Sequence, residues 1–322
     1  MRIGILTSGG DAPGMNAAIR GAVRQADALG HEAWGIRRGY QGLLEGDLAP
    51  LPSRACANIL QRGGTLLQTD RCLAFHQPEV RAQAAQVLKD AGVEALVVIG
   101  GDGSFRGAEA LWREHGVACA GIPATIDNDL PGTERTLGFD TALNTAVEAI
   151  DRIRDTAHSH GRLFLIEVMG RASGMLAVHT ALACGAEAVL YPESQEASLE
   201  ALVTRLQAHW SAGKRSSIVV VAEGDQPGGA LALGETLRRD FGLELRVVVL
   251  GHVQRGGSPT ALDRIWGSRW GAEAVRRLDA GERGFYLGEA AGALVARPLS
   301  QVRDARPPAV GDLGTLVSIL SR

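Results

Sequence analysis

Aromatic residues are scarce, at 4% of the 322 positions. Proteins that bind single-stranded nucleic acid stack bases on such side chains, so the composition speaks against that class. An excess of charge is also missing. Lys and Arg number 33 against 36 Asp and Glu, a formal −3, which argues against general nucleic-acid or membrane-surface binding. Cysteine occurs only four times, at Cys56, Cys72, Cys119 and Cys184. The four are far apart and form no metal-spaced pair, so free thiols in a cytoplasmic protein are expected. No apolar run approaches the length that spans a bilayer. The opening Met1-Arg2-Ile3-Gly4-Ile5-Leu6-Thr7 reads as a short strand and lacks the length of a signal segment. Low-complexity segments, solenoid repeats and an obvious linker are absent as well.

Glycine, by contrast, is abundant, at 42 residues in a chain that is 45% hydrophobic. That length and content can bury a large core in one or two domains, and the glycines suggest many tight turns. Residues 3–7 read as a buried strand. Ser8-Gly9-Gly10-Asp11-Ala12-Pro13-Gly14 then turns the chain into an Ala-rich helix over 15–29. Backbone N–H groups and a helix N-terminus meet there, which suits a phosphate. The glycine spacing fits neither a dinucleotide fingerprint nor, with Gly213-Lys214-Arg215, a Walker A loop. A strand over 31–36 leads to Gly39-Tyr40-Gln41-Gly42 and a long connection that includes Asp70-Arg71-Cys72. A helix covers 78–91. The continuous apolar run over 95–99 is of the kind buried in a parallel sheet. It ends in Gly100-Gly101-Asp102-Gly103-Ser104, where a helix to about 114 begins.

A strand over 117–121 then delivers Thr125-Ile126-Asp127-Asn128-Asp129 between Pro123 and Pro131. The flanking prolines argue for a loop. Alternation there could aim both carboxylates at one hard cation or one proton. Alone, the stretch reads equally as an Asx-rich surface turn. A helix over 141–156 follows, with Leu143, Val147, Ile150 and Ile153 as its core stripe. Strands over 163–168, 187–190, 216–222 and 244–250 alternate with helices over 199–209, 229–240 and up to 278. Short strands and a last helix over 313–320 close the chain. This alternation predicts an α/β fold with parallel sheets. Ligands in such folds bind beyond the carboxyl ends of the strands, which puts the polar loops on one rim. Arg20 and Arg24 share a helix face, which fits a solvated face or an anion site.

Five motifs in order carry a resemblance. They are the turn from Ser8 to Asn16, Gly-Gly-Asp-Gly-Ser at 100–104, Thr-Ile-Asp-Asn-Asp at 125–129, Glu-Val-Met-Gly-Arg at 167–171, and Gly-His-Val-Gln-Arg-Gly-Gly-Ser-Pro at 251–259. Together they resemble 6-phosphofructokinases of the bacterial, ATP-dependent type, from residue 3 to about 271. Gly-Gly-Asp-Gly alone also looks like lipid and NAD kinases. The resemblance implies two similar three-layer α/β/α domains with mostly parallel sheets. Residues 1–138 plus about 251–300 would bind nucleotide, and 139–250 plus about 301–322 the sugar phosphate. It implies transfer of the γ-phosphoryl group of ATP to the 1-hydroxyl of fructose 6-phosphate with Mg²⁺, the committed step of glycolysis.

Within that pattern Asp127 is the base, Thr125 and Arg171 touch the phosphoryl group, Asp102 binds Mg²⁺ and Asp129 holds the metal's water. Gly10, Tyr40, Arg71, Cys72, Gly101, Asp102, Gly103 and Ser104 line the nucleotide site. His252 and Arg255 take the sugar's 6-phosphate with Arg162 and Arg246. The last two would come from a neighbouring subunit, which implies an oligomer, normally a tetramer. Ile126, Met169, Gly170, Glu223, Val253 and Gln254 complete the sugar site. An effector site for ADP or phosphoenolpyruvate matches at Arg20, Arg24, Arg154, Gly185, Glu187, Lys214 and Arg215. Departures there are specific. Arg54 lies one place from the usual arginine, here Ser53, while Asn58, Ala212 and Ser216 stand where Asp, Lys and His are usual. Losing a Lys and a His removes anion contacts, so altered effector binding is expected.

Pyrophosphate-dependent members carry Asp at the position of Gly103 and Lys at that of Ala124, so both residues favour ATP. Ala124 also departs from the usual Gly, and Asp70 from a small residue. The competing readings are a pyrophosphate-dependent enzyme, an NAD or lipid kinase, and a catalytically silent sugar-phosphate-binding subunit. The second would lack the motifs at 125–129 and 252–259. The third would lack Asp127 or Asp102.

Overall fold

The computed structural model describes residues 1–194, 198–225, 228–304 and 309–321. The elements run β1 (Arg2–Ser8), α1 (Met15–Ala28), β2 (Glu32–Ile36), α2 (Gly39–Leu44), β3 (Leu48–Pro50), α3 (Pro78–Asp90), β4 (Ala95–Gly100), α4 (Asp102–His115), β5 (Ala118–Thr125), β6 (Leu137–Gly138) and α5 (Phe139–His160). They continue with β7 (Leu163–Val168), α6 (Met175–Cys184), β8 (Ala188–Leu190), α7 (Leu199–Ser211), β9 (Ser217–Ala222), α8 (Gly229–Phe241), β10 (Leu245–Val249), α9 (Ala261–Asp279), β11 (Phe285–Ala290), β12 (Ala293–Pro298), α10 (Gln301–Asp304) and α11 (Leu313–Leu320). The expected α/β alternation is what the chain adopts.

The chain forms two compact units, Met1–Thr141 with Arg255–Pro308 and Ala142–Gln254 with Ala309–Arg322. The sequence division fell after residues 138, 250 and 300. The differences have physical causes. Thr141 is bonded to Asp263 within the first unit, Gln254 to Met169 within the second, and α10 packs on α4. Residues 305–308 and 322 of the expected tail assignment lie outside the described residues.

The first unit is built on an eight-stranded sheet in the order β12-β11-β5-β4-β1-β2-β3, with β6 added to β5. Its central pairs are parallel, and the hairpins β2–β3 and β11–β12 at the edges are antiparallel. Successive strand residues face opposite sides. Leu6, Leu96 and Val98 meet Leu43, Leu88, Phe105 and Leu111 of α2, α3 and α4. Ile3, Ile5, Val97 and Ile99, also fully buried, face the other layer, where α1 and α9 pack. Those two helices touch through backbone. A Cβ on Gly21 would lie 2.5 Å from the Ser268 carbonyl, and one on Gly271 2.2 Å from that of Ala18.

The second unit holds a parallel sheet in the order β10-β7-β9-β8. Leu163, Leu165, Val219 and Val221 pack against α7 and α8. On α5 the buried stripe is Ala142, Ala146, Ile150 and Ala157. Leu143, Val147 and Ile153, read as core from the sequence, are half-buried. Alanines allow the closer approach, and a reading weighted to large apolar side chains misplaces the stripe by one residue.

Candidate active site

In the first unit, β1, β4 and β5 are neighbours in register, Ser8 beside Gly100 and Gly100 beside Pro123. Their carboxyl ends therefore release the three glycine-rich or acidic loops on one rim. Gly9 and Gly14 adopt φ of 90° and 100°, which favours glycine. Gly100 is required by close approach, since a Cβ there would lie 2.5 Å from the Ser8 carbonyl. The Ser104 hydroxyl donates to that same carbonyl at 3.0 Å, which ties the second loop to the first. Gly101 precedes α4 in extended conformation and Asp102 opens the helix. A Cβ on Gly103 would meet nothing within 4 Å among the described residues. A helix N-terminus with free space at its second residue can take a phosphate on backbone N–H groups. Asp102 is half-exposed and pairs with Arg106 at 2.8 Å.

The connection over residues 61–72 is stapled to this rim. Thr7 donates to the Gln68 carbonyl at 2.6 Å and Thr69 to that of Gly9 at 2.9 Å. Asn16 binds the connection through the Arg62 carbonyl and the Leu66 N–H. Arg71 is exposed beside it. Cys72 packs on the core, and burial, the largest cause, raises its thiol above the usual range. It therefore stays protonated and offers contact, not a nucleophile. Gly10 lies against Arg255, where a Cβ would meet the guanidinium at 2.6 Å. Arg255 also donates to the Asp11 carbonyl at 3.1 Å.

Tyr40, Ile126 and Gln254, all expected site residues, are buried. Tyr40 was expected to line the nucleotide site, but it is buried in α2. Its ring stacks on Phe75 at 4.0 Å, and its hydroxyl donates to the Ser104 carbonyl at 2.6 Å. It props the Gly101–Ser104 loop from beneath. Ile126 is fully buried, its side chain close to Gly138. Gln254 is fully buried in the second unit, where its carbonyl oxygen accepts the Met169 N–H at 2.9 Å. It acts as a brace for the loop after β7.

The acid loop is tied down by several hydrogen bonds. Thr125 is the last residue of β5, and its hydroxyl accepts the Asp127 N–H at 3.2 Å. Asp127 is 3% exposed and Asp129 half-buried. Asn128 between them adopts φ of 48°, a conformation costly for most non-glycine residues. The alternation expected of an extended segment is therefore broken at Asn128. Its amide donates to the Glu134 carbonyl at 3.2 Å, and its carbonyl oxygen meets the Thr136 hydroxyl at 3.1 Å. That hydroxyl also reaches the Thr125 carbonyl at 2.6 Å. β6 then pairs Leu137 with Ala124 and Gly138 with Thr125, so the loop closes on the strand it left.

In the second unit, β7 ends at Val168 and the loop from Met169 to Ser173 turns sharply. Gly170 has φ of 143° and Arg171 φ of 51°. Arg171 is exposed, and its N–H reaches the Glu223 carboxylate at 3.4 Å. A Cβ on Gly224 would lie 1.8 Å from the Arg171 carbonyl, so only glycine fits beside this loop. Arg246 sits on the edge strand β10 opposite Phe164, and Arg162 immediately precedes β7. Both are exposed, as are His252 and Val253.

The effector candidates fall in both units. In the first, the charges of Arg20 and Arg24 act on Cys56, which ends the short 3-10 turn Ser53–Cys56 that contains Arg54. In the second, Arg154 donates to the Cys184 and Gly185 carbonyls. Glu187 is 1% exposed and pairs with Lys214 at 2.8 Å. Lys214 also donates to the Ser321 carbonyl at 3.3 Å. Arg215, Lys214, Trp210, Leu163 and Leu243 border an open cleft of about 520 Å³, which sequence reasoning did not foresee.

Asp263 was also missed. It is 3% exposed and accepts the Gly138 N–H at 3.0 Å, the Thr141 N–H at 3.0 Å and the Thr141 hydroxyl at 2.5 Å. Burial, opposed by these donors, pushes its carboxyl up to about 6. Thr260 three residues earlier caps α9. The Thr-x-x-acid spacing of a helix start was the available signal.

Glycine-rich helix N-termini and an acidic loop on one parallel rim, with arginines at the strand ends of a second sheet, are the equipment of a phosphoryl-transfer enzyme. The chain belongs to the phosphofructokinase family, whose model, described as phosphofructokinase, matches residues 2–278. It is 56% identical over 95% of its length, and 94% of the relative's, to the ATP-dependent 6-phosphofructokinase 1 of Thermus thermophilus. It is 49% identical to the ATP-dependent 6-phosphofructokinase of Shouchella clausii, over 94% of both chains. Among solved structures, the phosphofructokinase of Saccharomyces cerevisiae superposes with a TM-score of 0.88 at 33% identity. That match covers 99% of this chain and 47% of the yeast chain.

Proposed function

We infer that the chain transfers the γ-phosphoryl group of ATP to the 1-hydroxyl of fructose 6-phosphate. The products are fructose 1,6-bisphosphate and ADP. The attacking oxygen forms the new P–O bond, the bond to the β-phosphate oxygen breaks, and the hydroxyl proton passes to a carboxylate. The observation that carries the reading is the closed acid loop, which holds a buried Asp127 at a strand end whose neighbour opens into the α4 N-terminus. High identity to bacterial enzymes named for ATP supports the donor. So does the open space at Gly103, where a carboxylate would crowd and repel an α-phosphate.

In this reading Asp127 is the base, and Thr125 and Arg171 stabilise the group in flight. Phosphoryl transfer asks for such positioning and charge stabilisation more than covalent chemistry. Gly10, Arg71, Cys72 and Gly101 to Ser104 receive the nucleotide. His252, Arg255, Glu223 and the backbone of Met169 and Gly170 receive the sugar phosphate. Asp102 would hold Mg²⁺ and Asp129 the ion's water, and the ion would neutralise the charge of the phosphates. The residues fit that ion. No cluster of three or more metal-binding side chains occurs among the described residues, and Mg²⁺ commonly uses one or two carboxylates with substrate phosphates and water. Arg162 and Arg246, both exposed, would serve a second copy of the chain, in an oligomer expected to be a tetramer. The cations around the Ser53–Cys56 turn and around Glu187 would bind ADP or phosphoenolpyruvate.

A coupled assay with fructose 6-phosphate and Mg²⁺ tests this, with ATP against pyrophosphate as donor. ATP is expected to support turnover. Asp127→Asn should lower kcat by roughly 10²–10⁴-fold with little change in KM. Turnover with pyrophosphate alone, or an unimpaired variant, would overturn the assignment.

A further inference from the structure

We propose that Asp263 is a positioning residue for phosphoryl transfer, one that sets the acid loop and the glycine turn against each other. This rests on the reading of Asp127 as the base. Asp263 touches no expected substrate position. Its carboxylate is buried where three segments of the first unit converge.

The first segment is the acid loop. Gly138 pairs with Thr125 across β5 and β6, and its N–H is held by Asp263 at 3.0 Å. Fixing Gly138 therefore fixes the strand partner of the residue two places before Asp127. Gly138 has φ of 98°, and a Cβ on it would lie 2.7 Å from Ala12 and 3.1 Å from Ile126. Gly138 thus packs directly on the Ala12 and Pro13 side chains of the glycine turn.

The second segment is that turn. Gly14, at the start of α1, lies against Asp263, since a Cβ on it would be 3.2 Å from the Asp263 Cβ. The third is the start of α9. Thr260 caps this helix and accepts the Asp263 N–H at 3.4 Å. Its own N–H donates to the Thr141 hydroxyl at 3.1 Å, and its hydroxyl donates to Asp140 at 2.6 Å. Arg255, five residues earlier, reaches the Asp11 carbonyl.

One carboxylate thus lies in the first turn of both α5 and α9, where an anion is favoured by the exposed N–H groups of each helix. An anion there can accept from both Gly138 and Thr141 through its two oxygens. An amide cannot, because its nitrogen is a donor and would face a donor. Asp263→Asn therefore keeps size and removes one of two anchors. The anchor lost is either that of the acid loop or that of the α5 start.

The expected result is a folded Asp263→Asn variant whose kcat falls roughly ten- to a hundredfold, the scale of a misplaced reacting group. KM for ATP should stay within about twofold, because the Gly101–Ser104 loop is bonded elsewhere. Thr141→Val should lower kcat less, and Thr141→Ser, which keeps the hydroxyl, should restore it. Parental kcat in folded Asp263→Asn overturns the proposal. So does a loss in kcat that matches the loss of folded protein. If Asp263→Asn does not fold, the Thr141 pair decides, and equal activity of the Val and Ser variants overturns it. Asp127→Asn measured alongside separates the two claims. If that variant is unimpaired, the base assignment has failed. If it collapses while Asp263→Asn does not, only the positioning claim has failed.

Discussion

The loop after β5 and the loop after β7 each leave the carboxyl end of a parallel strand, yet they are held in different ways. Each turns on a non-glycine residue in the left-handed region, Asn128 in one and Arg171 in the other. Asn128 is buried, and its side chain is bonded to Glu134 and Thr136. Arg171 is exposed, and Gly224 lies hard against its carbonyl. Under the proposed function, a carboxylate that takes a proton benefits from a fixed setting. An arginine that meets an arriving phosphate would benefit from exposure, with its backbone fixed. Local strain is met in two ways, by side-chain hydrogen bonds at the buried Asn128 and, at the exposed Arg171, by a backbone bond to Glu223 beside the close approach of Gly224.

The largest expected effect tests the second solution. Gly224→Ala places a methyl in the space of the Arg171 carbonyl, and the backbone must move. Turnover per unit KM for fructose 6-phosphate should fall by roughly a hundredfold while the fold persists. Steady-state kinetics and circular dichroism check this, and unchanged kinetics would break the contrast.

A second prediction concerns stability in the first unit. Asp263 titrates near 6 when folded, whereas an unfolded Asp titrates near ~3.9. The folded state keeps this proton to higher pH. Its contribution to stability is therefore greatest below about pH 4, declines as pH rises to about 6, and is flat above. Relative to Asp263→Asn, the parent should lose about 2–3 kcal/mol over that window. Urea titrations at several pH values measure the difference, and a pH-independent gap would contradict it.

The smallest effect sharpens the first solution. Thr136→Val leaves the Thr125 carbonyl and the Asn128 side chain short of a donor. It should cost about 1–2 kcal/mol, read as a lower Tm, with kcat reduced only severalfold. A loss as large as that of Gly224→Ala would mean that the hydrogen-bonded loop is no more tolerant than the confined one.

Much of this was legible before the fold was known. The strand expected over residues 163–168 is observed with those bounds, and its apolar stretch Leu163 to Ile166 is buried as in a sheet covered on both faces. The loops at 100–104 and 125–129 emerge on one rim because parallel neighbours end together. β5 runs on to Thr125, through Pro123, which had been read as a breaker. On that side β11 pairs only up to Gly121 and β6 starts at Ala124. The proline falls in the gap, where its missing N–H is not needed. The short helix α2 at Gly39-Tyr40-Gln41-Gly42 was not foreseen. Gly42 is demanded by packing, since a Cβ would lie 1.7 Å from the Arg37 carbonyl. The burial of Tyr40, Ile126 and Gln254 was not legible, because a motif gives position along the chain and not the direction of a side chain. Asp263 escaped notice because its partners, Gly138 and Thr141, are distant in sequence.

The backbone contact between α1 and α9 has a mechanical meaning. At Gly21 and Gly271 no compressible side chain lies between the helices, so neither can slide without the other. The glycine turn leads into α1, and the segment from Arg255 to Pro259 leads into α9. These two segments, remote in sequence, are mounted on a single stiff beam. Thermal breathing of the first unit should carry them together as one jaw, and hydrogen exchange would see both protected as one block.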